Sequence, residues 1–129
     1  MKQGEERVAL EALVETVIGT AYEVSNIPGA GFVEKVYERA LLQELMLRGV
    51  PAATQTPFPV VYKGKPVGVY TADLVVRDPL LVEVKCVDSF SYEHLAQCIN
   101  YLKASGLKLA LLINFRRPKV EWKRVVYNL

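Results

Sequence analysis

The N-terminal part of the chain carries apolar side chains at helical intervals. Over residues 5–25 they recur every three or four positions, with glutamates off that stripe, and this spacing predicts an amphipathic helix. Two glycines and a proline within residues 26–31 interrupt the pattern. A second helix is predicted over about residues 32–48. The stripe of the first helix comprises Leu10, Leu13, Val14, Val17, Ile18, Ala21 and Val24.

The middle of the chain changes to a pattern typical of strands. β-branched and aromatic residues over 57–62 and 66–76 flank a tight turn at Lys63-Gly64. A further apolar segment reaches Lys85 after the turn Arg77-Asp78-Pro79, where the proline disfavours helical geometry in the residue before it. These segments predict an antiparallel meander of three strands.

The remaining residues predict one helix and two strands. Ser89 or Ser91 is placed to cap a helix that runs to Ser105 and ends at Gly106. This helix is a crossover to the apolar run 107–115, which predicts a strand buried on both faces. Alternating residues over 120–127 predict a last strand at an edge of the sheet. The prediction is one α/β domain over residues 1–129, with a mixed sheet flanked by helices in the order ααβββαββ.

Three ionisable side chains interrupt the apolar strands. Glu83 and Lys85 point to one face of their strand, and Asp73 lies in the partner strand, close enough to meet them. Two neighbouring carboxylates repel and are unfavourable to bury without a cation. Lys85 supplies one positive charge, and hard oxygen ligands suit Mg²⁺ or Mn²⁺. A structural salt bridge at the end of a hairpin is the alternative that these residues leave open.

Two of the predicted helices carry polar side chains beside their apolar faces. Glu34 lies three and seven residues before bulky apolar positions, which aligns it with the inward face; an acid favoured by the helix dipole is the alternative. On the later helix His94, Gln97 and Tyr101 share one direction at spacings of three and seven. A single histidine is more often structural, so Gln97 is the stronger candidate.

Composition limits the function classes only partly. A chain of 129 residues with 51% hydrophobic content fits one domain with a real core. A net charge of +2 and a pI near 8.5 neither require nor exclude nucleic acid. No run reaches the roughly 18 apolar residues of a membrane span, and a cytoplasmic protein is predicted. Cys86 and Cys98 are predicted to be reduced thiols, without a disulfide or a zinc site.

Several motifs, taken in order, resemble a known family. The motifs are Gly31-x-x-Glu34-x-x-Tyr37, Asp73, Glu83-x-Lys85 and Gln97-x-x-x-Tyr101. They resemble the GxxExxY proteins of the PD-(D/E)XK nuclease superfamily, and the Gln-x-x-x-Tyr element is similar to that of RecB-type nucleases. The resemblance spans almost the whole chain and includes the phrases YKGKPVG, HLAQCINYLKASGL and LLINF. Ala72 replaces the proline of the superfamily motif, and no histidine precedes Glu34 as in many RecB-type sites.

The resemblance implies a restriction-endonuclease-like core and metal-dependent hydrolysis of phosphodiester bonds. The implied cofactor is Mg²⁺ or Mn²⁺, and the implied partner is nucleic acid, with DNA favoured over RNA and a homodimer or a partner protein left open. A catalytically silent binding module and a subunit of a larger nuclease assembly are the alternatives on the same fold. The implied site consists of Glu34, Asp73 and Glu83 as metal ligands, Lys85 for orienting or activating water, and Gln97 and Tyr101 for steadying the site or substrate.

Basic side chains provide candidate phosphate contacts. Any one of them, taken alone, is more often a solvated surface charge. They are Lys63, Lys65, Lys103, Lys108, Arg116, Arg117, Lys119, Lys123 and Arg124.

Overall fold

A computed structural model describes residues 2–27 and 33–128 of the protein. The predicted Phe32 start of the second helix and Gly31 of the sequence motif lie outside these residues. The described elements follow the predicted order ααβββαββ. They are α1 (Lys2–Val24), α2 (Glu34–Leu47), β1 (Ala52–Tyr62), β2 (Lys65–Val76), β3 (Leu80–Lys85), α3 (Tyr92–Ser105), β4 (Leu109–Asn114) and β5 (Glu121–Val126).

The five strands form one mixed sheet in the order β1-β2-β3-β4-β5. β3 and β4 are parallel and joined through α3, whereas the other neighbouring strands are antiparallel. All six residues of β4 are buried, which confirms the strand covered on both faces. β5 lies at an edge of the sheet, as predicted.

Helices cover both faces of the sheet and divide its core into two clusters. α1 and α2 pack on the face that carries Val82 and Val84 of β3, whereas α3 packs on the face that carries Leu81. Because side chains alternate along β3, Glu83 and Lys85 point to the α3 face. The helical and strand periodicity also predicts six buried residues, namely Tyr37, Leu41, Val84, Leu95, Ile99 and Leu112. Of these, Leu95 and Ile99 are half-buried and the other four are buried.

The first strand is longer than its pattern predicts. β1 begins at Ala52, five residues before the predicted start at Pro57. Thr54, Gln55 and Thr56 are polar, and prolines follow them, so the strand pattern is weak there. An edge strand tolerates both features, because one side of its backbone has no partner strand.

The structure shows which serine caps α3 and where this helix ends. Ser91, not Ser89, is the N-cap, and its hydroxyl accepts the His94 N–H at 3.2 Å. The Nδ1 of His94 accepts the Ser91 N–H at 3.0 Å, which gives the histidine a capping role. Gly106 ends the helix with φ of 77°, a left-handed conformation that favours glycine. No helix in the described part of the chain is both long and apolar enough to cross a membrane.

Candidate active site

β2 and β3 separate at Asp73, where two carboxylates replace the regular strand pairing. Backbone pairing joins Leu74–Val76 to Leu80–Val82 and stops there. Beyond it the Asp73 N–H donates to Glu83 Oε2 at 2.9 Å, and the Val84 N–H donates to Asp73 Oδ2 at 2.9 Å. Each side chain therefore caps the opposite strand. The prediction that Asp73 meets Glu83 across the hairpin is confirmed.

The electrostatics of this pair favour a bound cation. Burial and the neighbouring Asp73 charge raise the pKa of Glu83 to about 7, and only 5% of Glu83 is exposed. Burial also raises the pKa of Asp73, while the Val84 N–H and Lys85 oppose that rise. Lys85, half-buried at the end of β3, is the cation whose charge lowers the pKa of both acids. One lysine leaves the carboxylates under-compensated, and a second positive charge would stabilise them.

Glu34 reaches the same end of the sheet from the first turn of α2. Its Oε1 accepts the Cys86 N–H at 3.3 Å, directly after β3. The carboxylates of Glu38 and, to a smaller extent, Glu34 also raise the pKa of Asp73, which places both of these acids of α2 in electrostatic range of it. Glu34 itself is exposed, but its carboxylate is directed to the end of β3 by the hydrogen bond from the Cys86 N–H. Its position at the start of α2 matches the alternative, an acid favoured by the helix dipole.

Aromatic rings connect α3 to the carboxylate pair. The Tyr101 ring stacks on Tyr70 of β2, with centroids 3.6 Å apart, and Phe58 of β1 lies 6.3 Å beyond it. The Tyr70 hydroxyl is buried and makes no well-oriented hydrogen bond to the described residues, although it lies beside Glu83. Burial and the Glu83 charge raise the pKa of both tyrosines. Tyr101 thus contacts the site through Tyr70, which the sequence did not single out.

Gln97 is the predicted site residue with the least structural support. It is exposed on α3, one turn before Tyr101, and makes no hydrogen bond to another described residue. Its position leaves its amide accessible to a bound molecule. The structure therefore brings together Asp73, Glu83 and Lys85 and adds Glu34 and Tyr101 at their border, whereas no contact joins Gln97 to these residues in the described part of the chain.

Two further buried polar residues lie near the site and were missed from sequence. Glu38 is 4% exposed on α2, and its spacing of three and seven from Leu41 and Leu45 was the available signal. Asn114 is 1% exposed at the end of β4, where its amide accepts from the Val87 N–H at 3.1 Å and donates to the Val87 carbonyl at 2.7 Å. Asn114 thereby fixes the segment that follows Lys85. The sequence feature that could have identified Asn114 is a polar residue at the end of an apolar, buried strand.

The donor chemistry fits a hard divalent cation, but not a closed protein cage. Within residues 2–27 and 33–128 no group of three or more His, Cys, Asp or Glu side chains is assembled as a metal site. Mg²⁺ commonly binds one or two carboxylates and completes its coordination with water and substrate phosphates. Asp73 and Glu83 supply such a pair, with an unmet need for positive charge. Cys86 and Cys98 are not joined by a disulfide, and hard oxygen donors of this kind do not call for soft thiolate ligands.

A separate cavity of about 510 Å³ lies away from these residues. It opens between the N-terminal half of α1, the β2–β3 turn and the loop after α3, and none of its lining residues belongs to the site. The lining includes Leu10, Leu13, Arg77, Pro79 and Leu107.

Comparison with known protein families shows to which family the chain belongs. A sequence profile described as the PD-(D/E)XK nuclease superfamily matches residues 11–125, which is nearly the whole chain. The chain belongs to the PD-(D/E)XK nuclease superfamily. Nucleases of this superfamily generally use divalent metal ions, in agreement with the hard oxygen donors of the carboxylate pair. No curated protein matches the chain.

Solved structures confirm the restriction-endonuclease-like fold of this superfamily member. SSO0001 is 20% identical with a TM-score of 0.54, over 73% of this chain and 50% of its own. An alkaline exonuclease, LHK-Exo, from Laribacter hongkongensis is 15% identical with a TM-score of 0.52, over 71% of this chain and 54% of its own. The protein thus spans about half the length of each. At these identities the likeness shows the fold alone.

Proposed function

We propose that this protein is a Mg²⁺- or Mn²⁺-dependent nuclease of the GxxExxY group that hydrolyses phosphodiester bonds, preferably in DNA. The observation that carries the proposal is the reciprocal capping of Asp73 and Glu83. It holds two carboxylates at the point where the strands separate, with a pKa of about 7 for Glu83 and too little positive charge around them. Membership of a nuclease superfamily supports the same chemistry.

Asp73 and Glu83 would hold the metal, with Glu34 as a third acid at the border. A metal bound there supplies a water of lowered pKa and neutralises charge on the scissile phosphate. Lys85 orients the attacking water or stabilises the negative charge that develops on the phosphoryl oxygens. Tyr101, stacked on Tyr70 and in electrostatic range of Glu83, would steady the border of the site.

Two arginines are placed to contact substrate phosphates. β3 and β4 are parallel, so the segments that follow them leave the sheet at the same edge. Arg116 pairs with the Asp88 carboxylate at 3.5 Å, and Arg117 donates to the Asp88 carbonyl at 3.1 Å. Both arginines and Asp88 are exposed, and such a pair contributes little stability. A phosphate oxygen is therefore able to replace Asp88 as their partner.

A cleavage screen tests the proposal. Purified wild-type protein is incubated with single- and double-stranded DNA and RNA in Mg²⁺, Mn²⁺ or EDTA, beside Asp73→Asn. We expect cleavage that needs the metal and is lost in the variant. Glu44→Gln is the control, because Glu44 lies on α2 and pairs with Arg48 at 3.0 Å instead of with the site. Cleavage that persists in Asp73→Asn, or wild-type protein that neither binds Mn²⁺ nor cleaves any substrate, contradicts the proposal.

A further inference from the structure

Glu38 is a buried acid outside the predicted motifs. A carboxylate that is 4% exposed needs partners, because an unpaired buried charge is strongly unfavourable. Gln55 Nε2 donates to Glu38 Oε1 at 2.6 Å, a contact that joins residues 17 positions apart. Lys35 Nζ lies 3.2 Å from Oε2, but the Lys35 side chain is 47% exposed. Gln55 is also exposed, but it makes the shorter of the two contacts and is the partner that joins Glu38 to a strand of the sheet.

Gln55 has an unusual backbone conformation for a strand residue. Its φ is 53°, in the left-handed region, although it lies within β1. A non-glycine residue in that region costs about 1 to 2 kcal/mol and persists only where its surroundings hold it. The hydrogen bond to buried Glu38 is a contact that holds it. The Glu38–Gln55 pair thus maintains a local distortion of β1.

The distortion lies opposite Asp73. Thr54 pairs with Leu74 and Thr56 pairs with Ala72, so the register places Gln55 across from Asp73, but these two residues are themselves unpaired. On its other side Asp73 leaves the β2–β3 ladder and exchanges hydrogen bonds with Glu83 and the Val84 N–H. Asp73 is therefore released from regular pairing towards both neighbouring strands. The release towards β1 coincides with Gln55.

We propose that the Glu38–Gln55 pair is a positioning device that sets where the Asp73 carboxylate stands relative to Glu83, and so sets the affinity for the divalent metal. This inference rests on the proposed function. The Glu38 carboxylate also lies in electrostatic range of Asp73, whose pKa it raises. In this proposal Glu38 and Gln55 are positioning residues that act on Asp73 through β1 and β2, and the charge of Glu38 is tested separately below. Regular pairing between positions 55 and 73 would draw Asp73 towards β1 and away from Glu83.

A double variant separates this role from a merely structural one. Glu38→Leu combined with Gln55→Val removes both polar partners, and such replacement is often neutral for stability. Valine also favours the extended conformation. We expect the melting temperature in EDTA to change little, while the Mn²⁺ dissociation constant measured by calorimetry rises about tenfold or more. Glu38→Gln keeps an oxygen that accepts from Gln55, and we expect its dissociation constant within about threefold of wild type.

The matched controls make every outcome decisive. Glu44→Gln, on the same helix and paired with Arg48 at 3.0 Å, should leave Mn²⁺ affinity unchanged. A double variant that folds and binds Mn²⁺ like wild type overturns the inference while leaving the proposed function intact. Glu38→Gln that weakens Mn²⁺ binding as much as the double variant does also overturns the inference, because the charge of Glu38 and not its position would then matter.

If the double variant does not fold, Gln55→Gly replaces it in the test. Glycine tolerates the same φ but lacks the amide, so this variant must show the tenfold loss of Mn²⁺ affinity. Wild-type protein that binds no Mn²⁺ refutes both proposals.

Discussion

Two polar pairs, Asp73–Glu83 and Glu38–Gln55, lie on either side of β2 and differ in how the charge of their carboxylates is compensated. Asp73 and Glu83 are both acids, and backbone N–H groups are their hydrogen-bond donors, so their mutual repulsion persists and raises the pKa of Glu83 to about 7. Glu38 instead meets a neutral amide and a lysine. The first pair has one lysine for two acids, whereas the Glu38 carboxylate has both a lysine and an amide as partners. The first pair therefore has the greater need for a further positive charge, and the second is the one that we propose positions the strand.

Neutralising one acid of the first pair should give the largest effect. We expect Asp73→Asn or Glu83→Gln to abolish Mn²⁺ binding and to lower cleavage by about 100-fold or more, since the metal supplies the water and the charge compensation. In EDTA the same variants should melt at or above the wild-type temperature, because removal of one charge relieves repulsion. Calorimetry, cleavage assays and thermal melts measure the three effects.

The direction of the melting change decides between the two interpretations of this pair. A structural salt bridge with Lys85 predicts lower melting temperatures for both variants in EDTA and no response to Mn²⁺. Glu44→Gln provides the baseline for losing one carboxylate that belongs to neither pair.

Lys85→Met should separate metal binding from hydrolysis. The Lys85 charge lowers the pKa of both acids, so its loss leaves them less compensated. We expect Mn²⁺ to bind still and cleavage to be lost, with a melting temperature below wild type in EDTA that Mn²⁺ restores. Calorimetry and melts with and without the metal test this. Full cleavage by Lys85→Met would remove the lysine from the chemistry.

The pH dependence of stability should report the first pair alone. The folded-state pKa of Glu83 is about 7, above its ordinary 4.5, so between these values the folded state binds more protons than the unfolded state. Stability in EDTA should therefore fall as pH rises through this window, by up to about 3 kcal/mol. The raised pKa of Asp73 acts in the same direction. Denaturant titrations at the two ends of the window measure the change, and Glu83→Gln should flatten it.

Saturating Mn²⁺ should reverse that slope, because the metal binds deprotonated carboxylates. A wild-type stability that is independent of pH in EDTA would contradict the charge imbalance assigned to Asp73 and Glu83.

The sequence predicted the first pair and missed the second for a physical reason. Asp73, Glu83 and Lys85 interrupt apolar strands, where an ionisable side chain is costly and therefore conspicuous. The element order ααβββαββ followed from periodicity in the same way, since buried faces impose a regular pattern. Gln55 lies in a polar stretch of an edge strand, where a further polar residue is unremarkable. Its left-handed φ and its hydrogen bond to Glu38 are features that only the folded chain creates.

Glu34 and Glu38 show the limit of helical spacing as a guide. Both stand three and seven residues before apolar positions, yet Glu34 is exposed at the first position of α2 and Glu38 is buried one turn later. Spacing alone does not show where a helix meets the sheet. That depends on how α2 packs on β1 and β3, which is a property of the tertiary structure.

The smallest predicted effect concerns Lys35 and tests which partner fixes Glu38. Lys35 Nζ lies 3.2 Å from Glu38 Oε2, but with 47% of its side chain exposed the ion pair is screened and contributes below about 1 kcal/mol. We expect Lys35→Met to change stability by no more than this and to leave Mn²⁺ affinity within about twofold of wild type. Arg48→Met, which breaks an exposed pair on the same helix, is the matched comparison in denaturant titrations and calorimetry. A Lys35→Met protein that loses Mn²⁺ affinity as the Glu38→Leu and Gln55→Val double variant is expected to do would show that the lysine, and not the amide of Gln55, holds Glu38 in place. The contrast between the two pairs would then be one of net charge alone.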